Sequence, residues 1–176
     1  MNVKIPFTLL LICLLISPVF GQKKLSQNKQ EVIESVESHR EELINLSDQI
    51  WAFAETALQE YKSAKILADY AENQGFKVER GVAGMPTAFV ASYGSGKPII
   101  GILGEYDALA GLSQKAESHK EVLEEGQPGH GCGHNLFGPG SLGAALAIKE
   151  QIEAGKLNGT VRFYGTPAEE AIGGKI

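Results

Sequence analysis

The sequence predicts an α/β fold, with a mainly parallel or mixed sheet flanked by helices. Segments with apolar residues at helical spacing alternate along the chain with short β-rich runs, as expected for a layered α/β domain. Glycines stand where the predicted helices end. The chain has 176 residues, 43% of them hydrophobic, which is enough to bury a core and argues against disorder.

The charge balance argues against one broad class of partner. The chain has 16 basic and 21 acidic residues and a formal net charge of −5. This mild acidity provides no basic stripe for a phosphate backbone. We therefore expect no nucleic-acid binding.

Residues 1–21 have the features of a secretory signal peptide. Lys4 lies near the start, an apolar run covers residues 7–16, and the segment closes at Gly21. The apolar run is shorter than the roughly 20 residues that cross a membrane, although a signal anchor is the alternative. We expect an exported protein, periplasmic or extracellular, with no stable membrane span after cleavage. Cleavage would leave Cys132 as the single cysteine, so no internal disulfide could form.

The first predicted elements are helical. From residue 29 to 56, apolar residues recur at steps of three, four and seven, which predicts one long amphipathic helix. A second helix is predicted over residues 63–74, and Gly75 would end it in the left-handed conformation. A short strand is predicted over residues 76–80.

Two β-rich runs come next. Residues 87–93 and 98–103 are joined by a Gly-Ser-Gly-Lys turn, which predicts a β-hairpin. Residues 126–143 are rich in glycine, and we expect an irregular segment there.

The remaining elements complete the alternation of helices and strands. A helix is predicted over residues 141–154 and would be closed by Gly155. An apolar strand is predicted over residues 160–164, and it leads into a turn at 167–170. Because strands alternate with helices, we expect helices on the faces of the sheet.

Two acidic residues follow the predicted strand 98–103. Glu105 and Asp107 stand just past its end, which is where ligands bind in parallel α/β sheets. Two carboxylates at this point could bind a metal or orient a ligand. A solvated strand end with a helix-capping aspartate explains this stretch equally well.

The glycine-rich segment contains closely spaced metal-ligating side chains. His130, Cys132 and His134 alternate with glycines, and Asn135 follows them. Thiolate and imidazole are ligands for zinc and similar ions, and the glycines would let the backbone fold tightly so that these groups converge. A structural zinc site normally has four ligands, and the sequence contains no Cys-x-x-Cys pair.

Glu169 and Glu170 come after the predicted strand 160–164. Adjacent carboxylates at a strand end can divide two roles, one as a cation ligand and one as a general base acting on water. Taken alone, this stretch is better explained as a helix start, where glutamate suits the helix dipole. Together, however, the three stretches supply complementary hard and soft ligands, and this combination indicates a metal-assisted hydrolase site.

These motifs resemble those of the M20 metallopeptidases. The matching stretches are residues 104–109, 130–135 and 159–170, and they are most similar to the amidohydrolase branch that contains aminobenzoyl-glutamate hydrolase and related dipeptidases. The resemblance implies that residues 22–176 are the N-terminal part of an M20-type catalytic domain. The lid or dimerisation domain and the C-terminal half would then be absent from this sequence.

The resemblance also implies roles for individual residues. Glu169 and Asp107 would be catalytic, Glu169 as the general base and Asp107 as a supporting carboxylate. Cys132 would bridge two divalent ions, zinc or manganese, and His134 and Glu170 would be further ligands. Three neighbouring side chains would support these ligands: Glu105, His130 and Asn135.

The implied reaction is hydrolysis of an amide bond. The substrate would be a small N-acyl amino acid, a dipeptide or an aminobenzoyl-glutamate-like compound, and the family resemblance implies a homo- or hetero-oligomer. Further histidine ligands of the family are missing from the sequence. A non-catalytic metal-binding or interaction remnant of such an enzyme is therefore the alternative.

Overall fold

The structure is a computed structural model that describes residues 25–176. The predicted signal peptide, residues 1–21, lies outside the described residues. Among the described helices, none combines the length and apolar character that crossing a bilayer requires.

The described elements include both helices and strands, as predicted, but they do not alternate strictly: three helices come first, three strands follow in succession, and a helix separates the third strand from the fourth. A short 3₁₀ turn, Val82–Gly84, separates the first two strands. In chain order the elements are α1 Gln27–Ser38, α2 Arg40–Phe53, α3 Tyr61–Asn73, β1 Lys77–Arg80, β2 Phe89–Ser95, β3 Ile99–Glu105, α4 His134–Glu153, β4 Gly159–Thr166 and α5 Glu169–Ile172.

The strands within residues 25–176 form a four-stranded sheet in the order β1-β2-β4-β3. The pairs β1–β2 and β2–β4 are antiparallel, whereas β3 and β4 are parallel. The sheet is therefore mixed, with one parallel pair. Because β3 and β4 run in the same direction, their carboxyl ends meet at one edge, where Glu105 lies opposite Thr166.

The predicted hairpin between β2 and β3 is wrong, because β4 lies between these two strands. A glycine at the start of β4 permits this insertion: a Cβ atom at Gly159 would lie 2.5 Å from the carbonyl oxygen of Pro98. β4 therefore lies inside the sheet with a neighbour on each side, and its residues Val161 and Phe163 are completely buried in the core. An isolated two-stranded hairpin could not bury side chains to that extent.

The long helix predicted over residues 29–56 is two helices, α1 and α2, separated at His39. The backbone of His39 leaves helical geometry, with φ −98° and ψ 6°. Its imidazole hydrogen-bonds to the carboxylate of Glu150 at 2.9 Å and to the hydroxyl of Tyr70 at 3.1 Å. Contacts to α3 and α4 therefore accompany the break, and periodicity along one segment cannot reveal them.

Helix α4 begins at His134, seven residues before its predicted start at 141. The number of glycines predicts an irregular segment, but two of those within α4, Gly138 and Gly143, permit close packing. A Cβ atom at Gly138 would lie 2.8 Å from the carbonyl oxygen of Glu105, so the first turns of α4 lie directly against the end of β3. The early start places His134 in the first turn of a helix.

The core lies between one face of the sheet and helices α2, α3 and α4. Fully or nearly fully buried members come from all these elements: Leu46, Ile50, Leu67, Phe89, Leu142, Leu146, Val161 and Phe163. The apolar face of each helix and the alternate residues of β4 meet in this layer, as hydrophobic periodicity predicts.

We expect Leu142→Ala to lower the free energy of unfolding by about 2–5 kcal/mol, because a fully buried leucine is removed and a cavity remains. Urea unfolding followed by circular dichroism would measure this loss. Leu136→Ala is the matched control, since Leu136 lies on the same helix but is 66% exposed. Equal losses in the two variants would contradict this description of the core.

Candidate metal centre

Three segments meet at the edge of the sheet where β3 and β4 end. β3 ends at Glu105, α4 begins at His134, and the turn after β4 leads into Glu169 and Glu170. The parallel register of β3 and β4 brings the first and third segments together. The close packing of α4 against β3 adds the second.

Two groups of potential ligand atoms are formed there, and His134 belongs to both. In one group, ligand atoms of Cys132, His134 and Glu170 lie within 4.8 Å of one another. In the other, ligand atoms of Glu105, His134 and Glu169 satisfy the same limit. Cys132 is exposed and His134 is buried, so the first group extends from the protein surface inward.

Asp107 fixes the orientation of the His134 ring. One carboxylate oxygen of Asp107 lies 2.9 Å from Nδ1 of His134, and Asp107 is 1% exposed. The opposite nitrogen, Nε2, faces the carboxylate of Glu105 at 3.1 Å. A carboxylate on one imidazole nitrogen is the usual way to orient the other nitrogen toward a metal.

The same aspartate also holds the backbone of the twin-glutamate turn, residues 167–170. The N–H of Glu170 donates to the second carboxylate oxygen of Asp107 at 2.8 Å. Asp107 therefore connects the His134 ring with the segment that carries both glutamates.

These contacts shift the ionisation of the site. Burial alone would raise the pKa of Asp107, but hydrogen bonds from His134 and from the Glu170 N–H hold that pKa below its ordinary value. The hydrogen bond to Asp107 raises the pKa of His134, against the opposing effect of burial. Desolvation and the nearby carboxylate of Glu170 raise the pKa of the Cys132 thiol. A bound cation would reverse the last effect, because it stabilises a thiolate.

The residues at this edge fit a divalent cation. Within the described residues, one carboxylate oxygen of Glu170, Oε1, is buried and has no hydrogen-bond partner. A buried acceptor of this kind is costly unless a ligand satisfies it. Thiolate, imidazole and carboxylate are together a suitable donor set for zinc or manganese.

Lys175 provides positive charge at the site. Its ammonium group lies 2.5 Å from a carboxylate oxygen of Glu105 and 2.9 Å from one of Glu169. These two ion pairs raise the pKa of Lys175 well above its usual value. The two carboxylates that flank this ammonium create a negative local potential, which favours a cation at this position.

Two residues of the predicted site make their hydrogen bonds to helix α2. His130 Nε2 lies 3.0 Å from the carbonyl oxygen of Ile50, and the His130 ring stacks on Trp51. The side-chain amide of Asn135 donates to the hydroxyl of Ser47 at 3.2 Å. The structure therefore brings Cys132, His134, Glu105, Asp107, Glu169 and Glu170 together and places His130 and Asn135 behind them, against α2.

The turn that carries the two glutamates has an unusual backbone. Ala168, which is fully buried, adopts the left-handed conformation with φ 60° and ψ 33°. This conformation costs a non-glycine residue roughly 1–2 kcal/mol. The short helix α5 begins directly after it, so the left-handed residue redirects the chain from β4 toward His134.

Two charged residues near this turn, Lys175 and Glu60, are not predictable from the sequence motifs. Lys175 contacts the site through space, and its position six residues after Glu169 is the single sequence signal. Glu60 lies beneath the turn and is fully buried. The local sequence around Glu60 contains no motif that would distinguish it from an exposed glutamate.

Comparisons with known proteins agree with the fold and the motifs. The chain is 48% identical over 143 residues to one of the subunits of p-aminobenzoyl-glutamate hydrolase from Escherichia coli, a match that covers 81% of this chain and 30% of that protein. It is 30% identical to the human Xaa-Arg dipeptidase, over 89% of this chain and 36% of the dipeptidase. No model of a protein family matches the chain.

A solved structure shows the same architecture. The chain superposes on a dinuclear metal-binding peptidase of the M20 family from Bacillus subtilis with a TM-score of 0.64 and 26% identity, over 76% of this chain and 36% of that one. The chain thus spans about a third of the length of these relatives.

Proposed function

The chain belongs to the M20 family of metallopeptidases and amidohydrolases, and from this premise we propose that it supplies the metal centre and general base for hydrolysis of an amide bond in a small substrate. The related hydrolases act on different compounds. The higher identity to the aminobenzoyl-glutamate hydrolase favours an aminobenzoyl-glutamate-like substrate over a dipeptide.

The residues that would hold metal are Cys132, His134 and Glu170, with Glu105 beside them. When bound, two divalent ions such as zinc or manganese supply Lewis acidity that polarises an amide carbonyl and acidifies a water molecule. The buried, unpartnered oxygen of Glu170 supports its role as a ligand. Asp107 keeps His134 oriented and in the correct tautomer for binding through Nε2.

Glu169 is the proposed general base. Its side chain is 30% exposed, compared with 19% for Glu170, so Glu169 is the more accessible of the two carboxylates. One of its oxygens lies 4.0 Å from Nε2 of His134, which places it beside the proposed ligands. From there it would accept a proton from the attacking water and deliver it to the departing nitrogen.

The observation that carries this proposal is the sharing of His134 between the two ligand groups, one of which contains Glu169 and the other Cys132 and Glu170. A structural zinc site would have four protein ligands in closed coordination. Here carboxylates outnumber the soft ligands, and Glu169 is partly open to solvent. This arrangement suits hydrolysis better than a purely structural role.

Chelation provides a direct test of the proposal. The natural full-length protein, loaded with zinc or manganese, should release glutamate from p-aminobenzoyl-glutamate or an amino acid from a dipeptide panel. Dialysis against a chelator should reduce hydrolysis to the background rate, and adding the metal back should restore it, because the cation supplies the Lewis acid.

Two results would contradict the proposal. Hydrolysis that persists after complete metal removal would exclude the metal-assisted mechanism. Metal binding with no hydrolysis of any tested amide would instead support the alternative, a non-catalytic metal-binding remnant.

We also propose that the protein is exported and assembles with another chain. The apolar leader at residues 1–21 supports export. The Escherichia coli relative is one subunit of its enzyme, which supports assembly with a partner. Cell fractionation and size-exclusion chromatography of the natural protein would test these two points.

A further inference from the structure

We propose that Glu60, which lies outside the metal centre, is a positioning residue that holds the twin-glutamate turn in place for catalysis. This inference rests on the hydrolytic function proposed above. Glu60 stands immediately before helix α3 and is separated by more than a hundred positions from the turn it contacts.

The side chain of Glu60 is fully buried, which is unusual for a carboxylate. Each of its oxygens has a specific donor. One accepts the backbone N–H of Ala168 at 2.8 Å, and the other accepts the hydroxyl of Thr87 at 3.0 Å. Both donors are themselves buried, so each hydrogen bond is shielded from water.

The bond to Ala168 lies at the point of greatest backbone strain in the turn. Ala168 is the left-handed residue that redirects the chain after β4. Its N–H points into the protein interior, and without Glu60 this donor would be buried and unsatisfied. The acceptor supplied by Glu60 therefore favours the strained conformation over an extended one.

The turn is anchored at two backbone amides, one on each side of the proposed general base. Glu60 accepts the N–H of Ala168, and Asp107 accepts the N–H of Glu170. Glu169 is the single residue between these two anchored amides. Glu60 stands directly before α3 and Asp107 shortly after the end of β3, so both carboxylates are held by regular elements. The two anchors therefore fix the backbone position of Glu169.

A second connection links Glu60 to the segment that carries Asp107. Thr87, which donates to Glu60, accepts through its own carbonyl the hydroxyl of Tyr106 at 2.6 Å. Tyr106 is fully buried and stands between Glu105 and Asp107 in the chain. Glu60 is thus part of a buried network that reaches two of the three motifs of the site.

The test compares Glu60→Leu and Glu60→Gln in the natural full-length protein. Glu60→Leu removes the acceptor, and we expect kcat to fall by about 10²-fold, the effect of displacing a catalytic group by about 1 Å, while KM changes much less. Glu60→Gln retains a carbonyl oxygen that can accept the Ala168 N–H. Its kcat should therefore recover to within about tenfold of the wild type.

Glu55→Gln and Glu55→Leu are the matched controls. Glu55 also accepts backbone N–H groups, those of Lys62 and Ser63 at the start of α3, but it does not contact the turn. We expect these variants to lose stability without the selective loss of kcat. If Glu55→Leu and Glu60→Leu reduce kcat equally at equal stability, Glu60 is structural only and the proposal is overturned.

Hydrogen exchange provides a readout that does not depend on activity. In metal-free protein, Glu60→Leu should accelerate exchange of the Ala168 amide while the amides in the middle of β4 keep their protection. Unchanged exchange at Ala168 would overturn the proposal. Thr87→Val, which removes the second hydrogen bond with little change in shape, should accelerate exchange more weakly and serves if Glu60→Leu fails to fold.

The two proposals can fail separately. If the wild-type protein hydrolyses no amide, the proposed function fails, yet the exchange measurement still decides whether Glu60 holds the turn. If the wild type is active but the exchange at Ala168 is insensitive to Glu60, the positioning role alone is wrong.

Discussion

Glu169→Gln should reduce the turnover of the metal-loaded protein by about 10²–10⁴-fold, the contribution expected of a general base. Glutamine has nearly the same shape as glutamate, but its amide cannot accept a proton from water at neutral pH. The hydrogen bonds that orient the turn involve the backbone of Ala168 and Glu170 and would remain in the variant. Metal content should therefore stay close to that of the wild type.

Two measurements would check this expectation together. Steady-state kinetics gives kcat, and elemental analysis gives the number of ions per chain. Glu79→Gln is the matched control, because Glu79 lies on β1 and its side chain is 63% exposed. Substantial turnover in Glu169→Gln would exclude Glu169 as the base, whereas simultaneous loss of metal would indicate that Glu169 acts as a ligand.

His134→Ala should have the largest effect on metal binding. His134 belongs to both ligand groups, so its removal weakens both at once. It also leaves an oxygen of the buried Asp107 without its hydrogen-bond partner, which costs about 1–3 kcal/mol of folding stability. We expect the metal affinity to fall by more than the roughly 10–100-fold that follows loss of a supporting hydrogen bond.

Asp107→Asn supplies the graded comparison for this experiment. It alters the group that orients His134 but keeps the imidazole, so its effect on affinity should stay within roughly 10–100-fold. His119→Ala is the control, because His119 is exposed and its described partner is the exposed Glu121. Calorimetric titration of metal-free protein would rank the three variants. A wild-type affinity in His134→Ala would contradict the assignment of His134 as a ligand.

The proximity of the three motifs was predictable from the sequence. Glu105 is the last residue of β3 and Glu169 follows β4, and the parallel pairing of β3 and β4 brings these positions to one edge. The pattern of alternating glycines also indicated convergence of Cys132 and His134, and the structure places both in one ligand group. Local sequence was sufficient here because each motif is short and lies next to a strongly patterned element.

Features that depend on distant contacts were not predictable. Position 39 lies within a continuous apolar periodicity, and the helix break there coincides with hydrogen bonds to α3 and α4. The early start of α4 is not predictable from local sequence, because glycine and proline usually interrupt helices. Here the helix packs so closely against β3 that position 138 has room only for glycine. The contact between Glu60 and the turn after β4 is evident only in the three-dimensional structure, because the two segments are far apart in the chain.

The position of β4 between β2 and β3 has a consequence for the kinetics of folding. During synthesis, β2 and β3 emerge early and nearly together, but native pairing leaves a gap of two strand spacings, about 9–10 Å, between them. The strand that fills this gap is made only after α4. Until then both strands expose unpaired backbone groups, and direct pairing between them is the competing arrangement that their connecting turn favours. Formation of the sheet therefore requires a late, long-range insertion, which predicts slow folding and a dependence on chaperones during synthesis.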